Sequence, residues 1–500
     1  MLYLAIFAQR LAEAVVSGLP YVLTGLLLAA AVSVYVPVGR LRRWVATRDD
    51  GRSANALLSP LVGAVWGMVL PVCSVGAIPL LLVARRAGVS RRGLAGFAVT
   101  SGFVNPYTLI YAMGLTSPWK VLLLAVCGAA VGALAGWAVG ERAPRTFEAP
   151  EPVGRLVALP FVAGKILLGT LAVYFALTAL VAAGVATAIP PGFIGHLFTE
   201  SDAVHVLLTA AIALPAYPPP AIAALQTTEI LWQRTDPGAA LLWWMLGAGM
   251  SAGKLLFLPR VLGWGGTVRV AAAAVVLAVG LAFAISPALR DAPVPDDDSH
   301  AFDRHNQPYH HAVEQYGSKV WLGKKLGELS TPDAHIAAMI LLLLTLTVAT
   351  PPGWAAAALS PRPASARGAL PGWAITSAAL VGGGAVLLSL LYTHYPDPAS
   401  TFTAIRHPDA ELSSVLRSGK WEATFDPLRS LEAQVGLLGP GALLRSPRLP
   451  ATFGGHLDVA RSHMASLRTA INMRDGEKAS VESMSLTRAL RDAEKAWATR

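Results

Sequence analysis

The sequence is poor in charged residues and in cysteine. Charged residues make up only 14% of the 500 residues, against about 25% in an ordinary soluble domain, which argues against a water-soluble multidomain protein. The two cysteines, Cys73 and Cys127, form no CxxC pattern and lie in apolar segments, so a disulfide framework is excluded. HExxH, GxSxG and paired intramembrane aspartates are absent, which argues against an enzyme. No RNP, helix-turn-helix or zinc-finger spacing occurs, so nucleic acid is not an expected partner.

Long apolar runs are abundant instead, and apolar residues make up 54% of the chain. A run of about 18 or more such residues predicts a membrane span, so the sequence predicts an all-α polytopic membrane protein surrounded by the lipid bilayer. The net charge of the chain is +10, and its Arg residues gather in the short loops between runs, where the positive-inside bias places them. The predicted segments are 13–38, 55–84, 93–115, 119–140, 166–189, 203–232, 239–259, 267–289, 334–350 and 371–393.

The segments and the polar stretches between them divide the chain into six parts. A connector rich in Pro and Glu separates the first eight segments into two sets of four, which we treat as two permease-like repeats. A polar insert, two additional transmembrane helices and a soluble helical C-terminal region follow. The predicted boundaries are 1–140, 141–165, 166–289, 290–333, 334–394 and 395–500.

Internal repetition relates the two sets of four segments. A shift of 144 residues places Pro71 on Pro215 and the Asn105-Pro106 pair on Gly249-Met250. Segments 55–84 and 203–232 are both interrupted by prolines, which cannot sit in a continuous helix. Paired interrupted segments in two halves are the pattern of a transporter's binding site. The alternative is that apolar segments of shared composition align by chance.

Loop charge bears on whether the two interrupted segments cross the membrane or turn back as re-entrant hairpins. If all ten segments cross, the two sides carry 10 and 10 Lys plus Arg in the short loops and N-terminal tail. If both interrupted segments are hairpins, the sides carry 17 and 3. The positive-inside bias favours two hairpins, which gives each repeat three crossings. The two repeats would then be inverted with respect to each other, as in alternating-access carriers.

The stretch 71–115 resembles the predicted-permease family that includes the bacterial organoarsenical efflux permeases. The resemblance is carried by Pro71, Cys73-Ser74, Gly76 and Pro79, by RRAG at 85–88 and by Asn105-Pro106. It implies a permease fold and export of a small solute through the plasma (inner) membrane, without a cofactor. Many members have a second cysteine where this chain has Val75. A trivalent arsenical prefers two thiolates, so one thiol argues against arsenical capture unless Cys127 packs near Cys73.

The substrate pathway is predicted where the interrupted segments meet. Each polar member has an alternative explanation: Cys73 as a small buried residue, Asn105 as a partner for the proline kink, and Tyr217 as core packing. Lys254 either attracts an anionic solute or exchanges a coupled proton, or it snorkels to the interface near Arg260. Residues 226–229 are expected to form a wet hairpin end. The predicted pathway residues are Pro71, Cys73, Ser74, Gly76, Asn105, Pro106, Tyr217, Pro218 and Lys254.

Two hypotheses from different classes remain open. The first is a permease that exports or exchanges a small molecule or ion. The second is a non-transporting membrane subunit that binds a partner protein, or a second copy of itself, through the insert and the C-terminal region. The insert also holds four histidines beside aspartates, a composition that suits Zn-, Ni- or Fe-type ions but matches no closed motif. These weak metal candidates are His300, His305, His310 and His311.

Overall fold

The computed structural model is helical throughout the residues that it describes, and no strand occurs among them. The chain divides into two compact units, residues 1–381 and 382–500, and each is described by itself. The candidate histidines of the insert and segment 371–393 lie outside the described residues. Those residues are 2–36, 53–115, 118–140, 158–190, 193–199, 203–232, 236–289, 317–328, 332–349, 395, 397–419, 421–446 and 451–498.

The first half of the large unit consists of two long helices and two interrupted ones. Prolines interrupt helices because they lack an N–H donor. Ser90 caps the N-terminus of the helix that follows it by accepting the Gly93 N–H at 3.1 Å. The helices are α1 Leu2–Tyr35, α2 Ser53–Val69, α3 Ala77–Arg86, α4 Arg91–Thr100, α5 Pro106–Leu115 and α6 Pro118–Trp137.

The second half has the same order of long and interrupted helices, with one additional short helix. Asp236 and Ser251 cap two of its helices by accepting backbone N–H bonds at 3.1 and 3.2 Å. A π-helical turn, Leu167–Leu171, interrupts the first helix without ending it. The helices are α7 Ala158–Ala188, α8 Phe193–Thr199, α9 Ala203–Ala216, α10 Pro220–Trp232, α11 Pro237–Ala248, α12 Ala252–Leu262 and α13 Trp264–Leu289.

Helix length and apolarity agree with a membrane protein. Among the described residues, four helices, α1, α6, α7 and α13, are long and apolar enough to cross a membrane. Helices α11 and α12 would make a fifth if this pair, bent by 51°, counts as one span. Shorter apolar helices include Leu58–Val69, Ala203–Ala216 and His335–Val348. The first predicted segment, 13–38, begins later than the helix, because α1 begins at Leu2 and includes Arg10.

Two further helices follow in the large unit, α14 Ser318–Glu328 and α15 Pro332–Ala349. Helix α15 packs against α1 and α7. It corresponds to the first of the two additional segments predicted after the insert. The apolar stretch of α15, His335–Val348, is shorter than each of the four candidate spans.

The small unit contains four amphipathic helices around an apolar core. Helix α16 begins after Asp397, whose carboxylate accepts the Ala399 N–H at 3.2 Å, and ends at Gly419 in the left-handed conformation with φ of 68°. Fully buried core residues include Leu412, Leu431 and Leu467. The helices are α16 Pro398–Ser418, α17 Phe425–Arg445, α18 Ala451–Met473 and α19 Gly476–Ala498.

Glycine allows α1 to approach the first helix break directly. A Cβ atom placed on Gly25 would lie 2.5 Å from the Gly76 carbonyl oxygen, which is closer than real Cβ contacts. Small residues at such contacts are the usual way in which membrane helices come close together, since van der Waals packing drives their association. Gly184, on α7, has open space where its Cβ would lie.

We expect Gly25→Ala to destabilise the large unit by about 1–3 kcal/mol, because the added methyl group must displace backbone at the break. Thermal unfolding in detergent can be followed by the exposure of the buried Cys73 thiol to a thiol-reactive dye in a Cys127→Ala background. Gly184→Ala is the matched control and should leave the transition unchanged or slightly raised. Equal transitions for the two variants would contradict the close approach.

Candidate functional site

The first helix break covers residues 70–76, between the end of α2 at Val69 and the start of α3 at Ala77. Pro71 lacks the N–H that would continue α2. The Cys73 thiol accepts the Gly76 N–H at 3.2 Å and so closes the turn that leads into α3. Cys73 and Ser74 are both buried, at 1% and 0% exposure.

The second break is a short turn at residues 217–219, between α9 and α10. Tyr217 has φ of +47°, a left-handed backbone conformation that is unfavourable for a bulky residue. Pro218 follows it and disfavours the right-handed helical conformation at the residue before it. Strained residues of this kind persist where the surrounding structure holds them and are concentrated at functional sites.

These two breaks meet inside the protein. The Tyr217 hydroxyl donates to the Cys73 thiol across 3.7 Å, and both side chains are at most 2% exposed. The two residues are separated by 144 positions, the same shift that relates the two halves of the sequence. Cys73 and Tyr217, which this shift aligns with each other, are therefore in contact.

A third break, at residues 101–105, is joined to the first by Asn105. Its amide nitrogen donates to the carbonyl oxygens of Val72 at 3.1 Å and Gly102 at 3.2 Å. Its amide oxygen accepts the Thr108 N–H at 3.1 Å, which caps the start of α5 at Pro106. Asn105 is 0% exposed. It therefore provides donors to carbonyls that the helix breaks leave without helical partners.

The fourth break covers residues 249–251. Lys254 follows it in the first turn of α12 and is completely buried. Its ammonium donates to the carbonyl oxygens of Ala98, Ser101 and Gly249 at 2.8, 2.7 and 2.7 Å. The Ser101 hydroxyl lies 3.2 Å from the same nitrogen. The snorkelling alternative is wrong, because the side chain extends into the protein and not toward the membrane interface.

Ser74 adds a polar group to this region that has no partner among the described residues. Its hydroxyl is fully buried and makes no hydrogen bond there. Gly102, with φ of +113°, packs so closely that its Cβ would lie 2.8 Å from the Ser74 nitrogen. A buried hydroxyl without a partner costs about 1–3 kcal/mol, so Ser74 is a group that a bound solute could satisfy.

A small cavity of about 30 Å³ reaches Tyr217 from α1 and α7. Its polar wall includes Arg10, Glu13 and Ser17 of α1. The Arg10 guanidinium and the Glu13 carboxylate form an ion pair at 2.8 Å, with side-chain exposures of 6% and 15%. Gln9 also donates to Glu13. Ionisable residues within a membrane helix are functional candidates by default.

This polar wall is not predicted from the sequence, because Arg10 precedes the first predicted segment, 13–38. The available signal was the spacing of Gln9, Glu13 and Ser17, which places them at intervals of four on one helix face. The wet hairpin end expected at residues 226–229 is largely buried: residues 226–228 are 0–3% exposed, and Glu229 is partly buried. The Gln226 amide oxygen accepts the Trp243 indole N–H at 2.8 Å.

The structure thus brings Cys73, Ser74, Tyr217 and Asn105 into one buried region, with Pro71 and Pro218 at the adjacent turns. Gly76 supplies the N–H that bonds the Cys73 thiol. Cys127 lies on α6 and is partly buried, and the described partners of the Cys73 thiol are Gly76 and Tyr217. No group of three or more potential metal ligands occurs among the described residues.

Residues 4–147 match a family described as a predicted permease. The match confirms the resemblance seen in the sequence, and it covers α1 to α6 with the first and third breaks. No curated protein and no solved structure matches the chain. The match and the apolar helices together indicate a membrane transporter.

We expect Asn105→Ala to destabilise the large unit by about 1–3 kcal/mol, because it leaves the buried Val72 and Gly102 carbonyls without the amide donor. Asn105→Asp should be destabilised as well, since its carboxylate keeps the Thr108 cap but faces both carbonyl oxygens. The dye assay on Cys73 measures both. Asn472→Ala, at an exposed position, should have no effect. Wild-type stability in Asn105→Asp would show that the cap alone matters.

Proposed function

We propose that the chain is a multi-pass plasma-membrane permease that exports a small solute by alternating access. The contact between the Tyr217 hydroxyl and the Cys73 thiol carries this proposal, because it joins two helix breaks from different halves in a buried region. In transporters of this kind, interrupted helices form the substrate site near the middle of the bilayer. The direction of transport and the plasma-membrane location follow from the family resemblance.

The packing of the two halves supports a two-fold repeat, and the loop-charge count favours its inverted form. Helices α1 and α7 are the first helices of the two halves, and they pack against each other. Helices α6 and α13 are the last helices of the two halves, and they also pack against each other. A two-fold axis brings equivalent elements together in this way. On the same reasoning, Cys73 and Tyr217 would lie close to that axis.

The residues around the break have distinct roles in the proposed mechanism. The Arg10–Glu13 pair lines the approach, and Tyr217 separates the cavity from the Cys73 thiol. A solute that reaches the break would find a thiol, a phenol and the Ser74 hydroxyl, all of them uncharged hydrogen-bonding groups. Rearrangement of Tyr217 would then open the site. The left-handed backbone conformation of Tyr217 makes the turn at residues 217–219 the proposed hinge.

A flux assay tests the proposal. Proteoliposomes are loaded with an organic monoanion, an alkylamine, a neutral polyol and a trivalent methylarsenical, and solute loss is followed by mass spectrometry. One class should leave faster than from protein-free liposomes. Cys73→Ala and Tyr217→Phe should each slow that flux about tenfold, which corresponds to about 1.4 kcal/mol. Cys127→Ala is the matched control and should leave the flux unchanged.

Two results would contradict the proposal. If Cys73→Ala and Tyr217→Phe transport at the wild-type rate, the break is not the solute site. If no solute moves and a partner protein co-purifies in fixed stoichiometry, the chain is instead a membrane subunit that anchors a complex.

The proposed topology places the loop at 85–92 and the polar insert on opposite sides of the membrane. Arg86→Cys and His310→Cys, each in a Cys73→Ala, Cys127→Ala background, can be labelled with a membrane-impermeant maleimide on intact cells. Only the cysteine at 310 should react, because the hairpin returns the 85–92 loop to the cytoplasmic side. Arg86 is preferable to Gly88, whose φ of 81° disfavours a side chain. Labelling of both positions would contradict the two-hairpin topology.

A further inference from the structure

Lys254 extends its terminal nitrogen into a part of the large unit where oxygens surround it. Its three strong hydrogen bonds are all to main-chain carbonyls, at 2.7 to 2.8 Å. An ammonium has three donors, so these carbonyls account for all of them. No carboxylate forms an ion pair with Lys254 in the part of the chain that the structure describes. The groups that bond the ammonium are therefore backbone dipoles and not carboxylates.

The carbonyls come from the C-terminal ends of two half-helices. Ala98 and Ser101 lie at the end of α4, and Gly249 follows the end of α11. A helix C-terminus carries about −0.5 elementary charge, so two ends that converge on one point supply about −1. This matches one monovalent cation. The two half-helices belong to different halves of the unit, so the cation also joins the halves.

Carbonyl oxygens from unwound backbone and half-helix C-termini are the ligands with which carriers hold a coupling Na⁺ or H⁺. The oxygen cage around Lys254 has this composition. Without a cation, the Ser101 and Gly249 carbonyls would lose their side-chain donor, and the Ala98 carbonyl would keep only the Ser101 hydroxyl at 3.4 Å. The position that the 144-residue shift aligns with Lys254 is Ile110, so the first half has no equivalent ammonium.

We propose that the carbonyls of Ala98, Ser101 and Gly249 form a monovalent-cation site that the chain fills with its own Lys254 ammonium. The tethered ammonium replaces the alkali cation that such a site would otherwise take from solution. Wild-type stability and transport are then independent of Na⁺ and K⁺. This inference builds on the proposed carrier function, but its test measures stability and does not depend on identifying the solute.

The test removes the tether and supplies free cations. Lys254→Ala is purified in detergent, and its unfolding is measured by dye labelling of Cys73 in choline, sodium, potassium or ethylammonium chloride at equal ionic strength. Choline is too large for the vacated space and serves as the reference cation. We expect Na⁺, K⁺ or ethylammonium to raise the transition of Lys254→Ala by about 5 °C or more over choline. The wild-type protein should show no such difference.

Lys254→Met separates charge from volume. Methionine fills most of the space of the lysine stem but provides no cation, so its transition should fall below that of the wild type and respond to none of the salts. Wild-type stability of Lys254→Met would overturn the proposal, since the cage would then need no cation. Failure of all three cations to raise the stability or the folded yield of Lys254→Ala would overturn it as well.

The two proposals can fail separately. If the salts rescue Lys254→Ala but Cys73→Ala leaves solute flux unchanged, the cation site stands and the solute site does not. If flux depends on Cys73 but no cation rescues Lys254→Ala, the permease assignment stands and the cation site is wrong.

Discussion

The structure depends on the need to satisfy backbone polar groups where helices break inside a membrane unit. Water is scarce there, so each freed carbonyl needs a donor from the protein. Asn105 serves the carbonyls of Val72 and Gly102, and Lys254 serves those at the ends of α4 and α11. The polar side chains that make the region a candidate site are thus the ones that allow the breaks to exist. The same hydrogen bonds therefore stabilise the breaks and form the candidate site.

Close packing at glycine makes those bonds geometrically possible. A Cβ on Gly102 would lie 2.7 Å from the Ala248 carbonyl oxygen, and a Cβ on Gly249 would lie 2.8 Å from the Phe103 ring. Without these glycines the third and fourth breaks could not approach each other. The Lys254 side chain would then be too far from Ala98 and Ser101 to bond them. The glycines therefore determine which carbonyls the ammonium can reach.

Much of this arrangement could be predicted from the sequence, because prolines and the 144-residue repeat mark the breaks directly. The meeting of the two interrupted segments is predicted from the sequence, but the bond between the Tyr217 hydroxyl and the Cys73 thiol is not, since a shift in sequence carries no information on side-chain distance. The direction of the Lys254 side chain depends on tertiary packing, and its closeness to Arg260 favoured the wrong alternative. Arg10 was missed because it precedes the predicted segment 13–38, although its ion pair with Glu13 offsets its charge within the helix.

The halves use different chemistry at matching positions, and this has a consequence for the proposed cycle. The position equivalent to Asn105 is Gly249, which presents only its backbone carbonyl, and the ammonium that bonds it comes from Lys254. An amide thus links the breaks of the first half, whereas a charged group links the second half to the first. In the proposed cycle, opening on the side that separates α4 from α11 would break the bonds of the ammonium to Ala98 and Ser101. Opening on the other side would leave these bonds intact, so the two open states of the proposed carrier would differ in the surroundings of this side chain.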